Sequence, residues 1–292
     1  MLNYQGALFR PPSEANSLIL QATLGCSWNK CTFCAMYRDK SFRVRKIEDL
    51  RKEIDWVAKN HLPPKKVFLA DGDALIAPAS FLKKLCEYIN TTWPSVKQIS
   101  CYASPQALEI RSTEEMKMLK EQKLSMYYIG VESGHDEVLS KLEKGVNGEQ
   151  TVRVANKANE AGVKLSTMIL LGAGGRELSQ AHAKQSAEVI NAIQPKFVST
   201  LVMTPTENSP LFEEAKKGNV DELTPIELAA ELYEFISNLS LKKSIFRSNH
   251  ASNYLALAGS FPKDKRKLLN ALENVLNHPS QAHFRPDWMR AL

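Results

Sequence analysis

Between residues 17 and 203 the chain alternates short apolar runs with stretches of helical periodicity. The apolar runs lie at 17–24, 66–70, 96–102, 125–131, 164–171 and 197–203. After the first run, Ile47, Leu50, Ile54, Val57 and Ala58 recur at helical spacing over 47–60, and Pro63-Pro64 ends the pattern. Further helices are predicted at 81–91, 148–161 and 178–193. Another opens at Ser112, with Glu115 placed for a capping box. Gly162 and Pro195 stand where two of these helices should stop. Strands separated by helices at intervals of roughly 30 residues argue for parallel βαβ units. Runs with few polar interruptions fit a sheet covered on both faces. A doubly wound sheet and a barrel satisfy this periodicity equally.

Beyond about residue 211 the alternation stops. Thr224-Pro225-Ile226-Glu227 begins a helix predicted to run to Leu239, with the proline suited to its first turn. A last helix is expected over 263–277. Between them Phe246-Arg247-Ser248-Asn249-His250-Ala251-Ser252-Asn253-Tyr254 is unusually polar, and His250 and Tyr254 are its candidates for proton transfer to a substrate. The chain is therefore expected to comprise an α/β part over 1–210 and a mostly helical extension over 211–292. No apolar run approaches the roughly 20 residues that cross a bilayer. The first residues lack the charged and apolar regions of a signal peptide, so a cytoplasmic protein is expected. The net charge of +6 fits an anionic small molecule or weak RNA binding and does not by itself mark a nucleic-acid footprint.

The chemistry is concentrated directly after the first strand, in Gly25-Cys26-Ser27-Trp28-Asn29-Lys30-Cys31-Thr32-Phe33-Cys34. Three thiols spaced C-x4-C-x2-C can wrap one inorganic centre without long-range assembly. Cysteine thiolates are the usual ligands of [4Fe–4S] clusters, and three of them leave one iron open to another ligand. A zinc site is the competing reading, and it needs a fourth ligand from elsewhere. Cys86 and Cys101 are single and distant, and five cysteines without a secretory signal argue against disulfides.

This loop resembles the cluster loop of the radical S-adenosylmethionine (SAM) superfamily, with one residue more in the first gap than the usual C-x3-C-x2-C. A second stretch, Tyr128-Ile129-Gly130-Val131-Glu132-Ser133-Gly134 and on through Gly145, resembles the Elongator and methylthiotransferase-like branch. The resemblance implies a partial (β/α)6 TIM-like barrel, with the extension packed on it. It also implies two cofactors, a [4Fe–4S] cluster held by Cys26, Cys31 and Cys34, and SAM on the open iron. By the same resemblance Asp71, Gly72 and Asp73 face the SAM amino group, and Glu132 accepts the ribose hydroxyls. Gly172, in Gly172-Ala173-Gly174-Gly175, lets backbone approach the cofactor, while Phe33 and Met203 flank the adenine.

The activity implied is reductive cleavage of SAM to a 5′-deoxyadenosyl radical that abstracts hydrogen from an unidentified, small-molecule substrate. An electron donor such as flavodoxin or ferredoxin is the expected partner, and no membrane partner is expected. Two alternatives stand beside it: a non-catalytic iron–sulfur or zinc-binding interaction protein, and an RNA-modifying radical SAM enzyme.

Overall fold

The computed structural model describes residues 1–290. In chain order its elements begin with β1 (Leu18–Gln21), β2 (Thr23–Leu24), β3 (Arg43–Val44), α1 (Ile47–Asn60), β4 (Lys66–Ala70), α2 (Ala79–Thr92) and β5 (Gln98–Tyr102). Next come α3 (Pro105–Ile110), α4 (Thr113–Glu121), β6 (Leu124–Glu132), α5 (Asp136–Lys141), α6 (Gly148–Glu160), β7 (Lys164–Leu171) and α7 (Gly175–Ile193). Then follow β8 (Phe197–Val202), α8 (Pro210–Lys216), α9 (Pro225–Asn238), β9 (Ile245–Ser248), β10 (Leu257–Ser260) and α10 (Lys265–Asn277). The fold is mixed α/β with a mostly parallel eight-stranded sheet. No helix among the described residues is long and apolar enough to cross a membrane.

Two units are distinguished by their internal packing. The first comprises Met1–Asn29, Met36–Ile129 and Val154–Leu165; the second comprises Lys30–Ala35, Gly130–Arg153 and the chain from Ser166 on. In the first, β1, β4, β5 and β6 pair in that order, all parallel. Leu50, Ile54 and Val57 of α1 are buried, the apolar stripe its spacing demanded. Beside them Arg45 and Glu53 form a buried ion pair at 2.7 Å. Helix α4 begins with the expected capping box of Ser112 and Glu115.

In the second unit β7, β8 and β9 pair in parallel and β10 joins antiparallel. One sheet face is sealed: Ile169, Val198, Thr200 and Phe246 are each at most 1% exposed. Burying a Phe or Ile there contributes about 2 kcal/mol. The other face is open, with Ser166, Met168, Ser199 and Leu201 half-buried. Helix α9 opens on the Thr224–Glu227 capping box with Pro225 in its first turn.

The stretch after residue 211 holds more than helices, because β9 and β10 lie within it. Four residues each, with Gly259 in one and Arg247 and Ser248 in the other, carry no period that reads as strand in isolation. They are strands because neighbours supply the hydrogen bonds. Strand β9 pairs with β8 only over Phe197–Ser199, and Asn253 takes over beyond it. Its amide oxygen accepts from Val202 N at 2.9 Å and its Nδ2 donates to Thr200 O at 2.8 Å. A single side chain thus satisfies the backbone of β8 where the partner strand has ended.

Candidate active site

In the first unit, the turn after β4 is tied to the start of the cysteine loop. Asp71 is fully buried, and its Oδ2 accepts from Gly25 N, Gln21 Nε2 and Lys40 Nζ, each at 3.0 Å. Thr23 Oγ1 accepts from Asp71 N, and Gly25 O accepts from Gly72 N at 3.1 Å. Asp73, also fully buried, accepts from Ser27 Oγ at 2.5 Å and from Ser104 Oγ at 2.7 Å. Cys26 is therefore bracketed by Gly25 and Ser27, both hydrogen-bonded to the Asp71-Gly72-Asp73 turn. Gly72 has a steric reason: a Cβ there would collide with the Tyr37 ring. The Asp71 carboxylate keeps one buried oxygen, Oδ1, without a hydrogen-bond partner among the described residues.

In the second unit lies the loop segment with Cys31, Phe33 and Cys34. Thr32 anchors it through its backbone, N donating to Leu142 O at 3.0 Å and O accepting from Leu211 N at 2.9 Å. Phe33 packs against an apolar cluster built from Val138, Leu142, Leu170 and Ala173, to which Leu201 and Met203 also belong. Phe33 and Met203 thus pack on one apolar patch. The three cysteines are half-buried and none forms a disulfide.

Glu132 ends β6 in the left-handed region, with φ of 65°. The residue is 4% exposed. One oxygen accepts from Lys144 Nζ at 2.9 Å, while the other, Oε2, is buried with no partner among the described residues. The side chain folds back over Gly130, where a Cβ would collide with Oε1. Lys144 escaped sequence reasoning, although its basic character beside the Glu132 stretch was visible.

Gly172, at φ of 82°, donates its N–H to Glu231 Oε1 at 2.6 Å, and Ser179 Oγ donates to Oε2 at 2.5 Å. Burial pushes the Glu231 carboxyl up to about 7, against the two hydrogen bonds, which favour the ionised form. His182 stands nearby, Nε2 to Oε1 being 3.8 Å. Its Nε2 lies 3.0 Å from Leu170 O, and a carbonyl can only accept, so the proton is on Nε2. Nδ1 then accepts from Ser133 Oγ at 2.7 Å. Burial holds the His182 pKa down to about 4, so it is neutral at pH 7 and makes no ion pair with Glu231. Neither Glu231 nor His182 carries a sequence signal.

Gly172, Met203 and Tyr254 line one small pocket, together with Leu228 and Arg290. Tyr254 donates to Asp287 Oδ1 at 2.8 Å and accepts from Arg290 Nη1 at 2.5 Å, with the guanidinium 4.1 Å from its ring centre. Burial, then the Asp287 hydrogen bond, raises its pKa. His250 does not line this pocket. Its Nδ1 accepts from Ser252 N at 3.1 Å, and burial, then the Arg285 charge, lowers its pKa. Cys101 is 1% exposed, with burial raising its thiol pKa.

A profile of the radical SAM superfamily matches residues 20–175. The chain belongs to the radical SAM superfamily. Proteins of this superfamily bind a [4Fe–4S] cluster and SAM. The heme chaperone HemW of Bacillus subtilis (strain 168) is 24% identical over 185 residues, 63% of this chain and 48% of that protein. A putative methylthiotransferase of Methanocaldococcus jannaschii is 23% identical over 157 residues, 51% of this chain and 34% of that protein. This radical SAM chain thus matches half or less of the length of these relatives.

Solved structures share the fold. Methylornithine synthase superposes with a TM-score of 0.55 at 14% identity, covering 92% of this chain and 74% of that one. The cobalamin-dependent SAM radical enzyme OxsB, solved with SAM bound, gives 0.56 at 15%, covering 89% and 46%. Elp3 of Methanocaldococcus infernus, solved with an N-terminal deletion, gives 0.52 at 16%, covering 80% and 59%.

The donor set fits the cluster in chemistry: three half-buried thiols, none in a disulfide, the first of them flanked by residues braced on buried aspartates. No three His, Cys, Asp or Glu side chains among the described residues are gathered to hold a single metal ion. The orphaned Glu132 Oε2 supplies a buried acceptor for a hydroxyl donor.

Proposed function

We propose that the chain is a radical SAM enzyme acting on a small molecule, with Cys26, Cys31 and Cys34 holding a [4Fe–4S] cluster. The observation that carries this reading is the three-cysteine loop, which lies within the segment matching the superfamily. When bound, cluster and SAM supply the one-electron cleavage chemistry, with an outside donor such as flavodoxin or ferredoxin providing the electron.

The chain's own part is binding, orientation and exclusion of water. Asp71 and Asp73 fix the backbone on either side of Cys26, and the carbonyls of their turn accept the SAM ammonium group. Glu132 uses Oε2 for a ribose hydroxyl, while Lys144 holds its other oxygen and keeps the carboxylate oriented. Phe33 and Met203 present an apolar wall to the adenine, and Gly172 supplies backbone at the pocket it shares with Met203. Tyr254, on the extension, contacts the substrate through its hydroxyl, and neutral His250 offers Nε2–H as a donor. On this reading residues 1–210 carry the cofactors and 211–292 form a cover that keeps solvent out.

The test is anaerobic reconstitution followed by iron and sulfide analysis. SAM and dithionite are then added and 5′-deoxyadenosine is assayed. About four irons per chain and 5′-deoxyadenosine formation, both lost in a Cys26/Cys31/Cys34→Ala variant, support the proposal. Bound zinc in place of iron, or an intact cluster that never cleaves SAM, overturns it in favour of a binding role.

A further inference from the structure

Arg247 occupies an unusual place in the second unit. It is the third residue of β9, an internal strand between β8 and β10, yet its side chain is exposed. Register puts it beside Ser199 of β8, which pairs in turn with Met168 of β7; on its other side is Ala258 of β10. Residues paired in register point to the same face of a sheet, so Arg247 lies on the open face. Phe246 and Ser248, its chain neighbours, are buried on the opposite face.

The same open face carries the apolar patch of Phe33 and Met203. Leu170 and Leu201, both members of that patch, pair in register and lie two residues further along their strands than Met168 and Ser199. Two residues of strand advance about 7 Å, within the span of an arginine side chain. Arg247 therefore lies one layer below the wall assigned to the adenine, on the surface a substrate would touch.

Its charge is uncompensated. Among the described residues no carboxylate pairs with Arg247, and its one hydrogen bond goes from Nη1 to Phe246 O at 2.8 Å. The remaining donors of the guanidinium fork are available, and that fork matches an oxyanion in a two-point contact. Around it the face is small or apolar: Ala258, Met168 and Leu201, with the Ser199 hydroxyl as the polar neighbour. None of its register neighbours Ser199, Met168 and Ala258 is basic, and a single cation balances a single negative charge, which favours a carboxylate over a phosphate. The apolar surroundings suit a carbon skeleton beside it.

We propose that Arg247 anchors the carboxylate of a small, largely aliphatic substrate on the open face of β7, β8 and β9. The assignment rests on the radical SAM reading, and its test is independent of SAM cleavage. Purified full-length protein is treated with phenylglyoxal, and modification of Arg247 is followed by peptide mass spectrometry against Arg266, an exposed arginine on α10. Butyrate, butyramide and inorganic phosphate are the probes.

The expected result is that butyrate slows Arg247 modification to about a tenth once its concentration exceeds its Kd about tenfold. Arg266 is unaffected, and butyramide protects neither residue. Binding of 13C-labelled butyrate, read by NMR line broadening, disappears in Arg247→Gln, with the urea midpoint unchanged. Absence of protection by butyrate overturns the anchor. Equal protection by phosphate at equal concentration overturns the carboxylate assignment. Either failure alongside normal 5′-deoxyadenosine formation rejects this inference alone, whereas loss of SAM cleavage in the reconstituted wild type rejects the reading beneath it.

Discussion

Replacing Glu231 by Gln should change how stability depends on pH, in a direction the structure fixes. Glu231 is 2% exposed and its folded pKa is raised from 4.5 to about 7. A raised carboxyl pKa means that the unfolded chain gives up its proton first. Folded stability is therefore undiminished below pH 4.5, falls as pH rises toward 7, and levels off above it. At about 1.4 kcal/mol per pH unit of pKa difference, the full cost of ionisation is about 3 kcal/mol. Glutamine keeps Oε1 as acceptor for Gly172 N, and its amide can donate to the Ser179 hydroxyl, so the hydrogen bonds survive without the titration. The advantage of Glu231→Gln over wild type should grow by about 2 kcal/mol between pH 5.5 and pH 8. Urea unfolding of the cluster-free protein, followed by tryptophan fluorescence at constant ionic strength, measures it. His182 runs the other way: its pKa is lowered to about 4, so its contribution is intact above 6.5 and is lost as pH falls toward 4. Glu231 and His182 offset one another between pH 4.5 and 6.5 in the wild type, and the variant uncovers the His182 slope. A stability difference that stays constant from pH 5.5 to 8, or shrinks, would refute the assignment of a neutral buried carboxyl.

Asp71→Ala removes the acceptor of Gly25 N and the partner of buried Lys40, and should cost about 3 kcal/mol in urea unfolding. The same variant should retain less iron after reconstitution, and wild-type iron retention would show that the brace on Cys26 is dispensable. Glu132→Gln should weaken SAM binding about tenfold in equilibrium dialysis, the loss of one charge-assisted hydrogen bond, with helix content unchanged by circular dichroism. Arg45→Met leaves the Glu53 carboxylate buried and lowers unfolding free energy by about 3 kcal/mol. Replacing both partners with Met at positions 45 and 53 should recover most of that loss, and a double variant no better than the single one would argue against a desolvation origin.

Much of the fold is local physics and was legible in order. The periodicity over 47–60 became α1 with the same bounds, and the apolar runs at 66–70 and 164–171 became β4 and β7. The capping box of Ser112 formed where its spacing placed it, since a cap needs partners only three residues away, and α9 starts at Pro225 as its proline implied. The cysteine spacing likewise speaks for itself, because the donors are neighbours in the chain. Short elements were not legible: α3, α5 and α8 have six or seven residues each, too few to display a period.

What the chain order does not encode is which distant groups share a buried environment. Glu231 and Gly172 are 59 residues apart, and only folding brings the carboxylate to the amide and strips it of water. The low dielectric that lifts its pKa, and depresses that of His182, is a property of the packed interior and of neither residue type. Asn253 reads as one polar residue among several until β9 ends short of β8 and leaves backbone groups for it to satisfy. Arg247 was visible as a letter, but its placement on the open face, in register with Ser199 and Met168, follows from strand pairing alone. Sequence by itself determined the order of the elements and the donors of the candidate cluster, both set by short-range spacing. Tertiary structure decided which carboxylates are buried, which are paired and which face of the sheet is open, because solvation and register depend on partners far away in the chain.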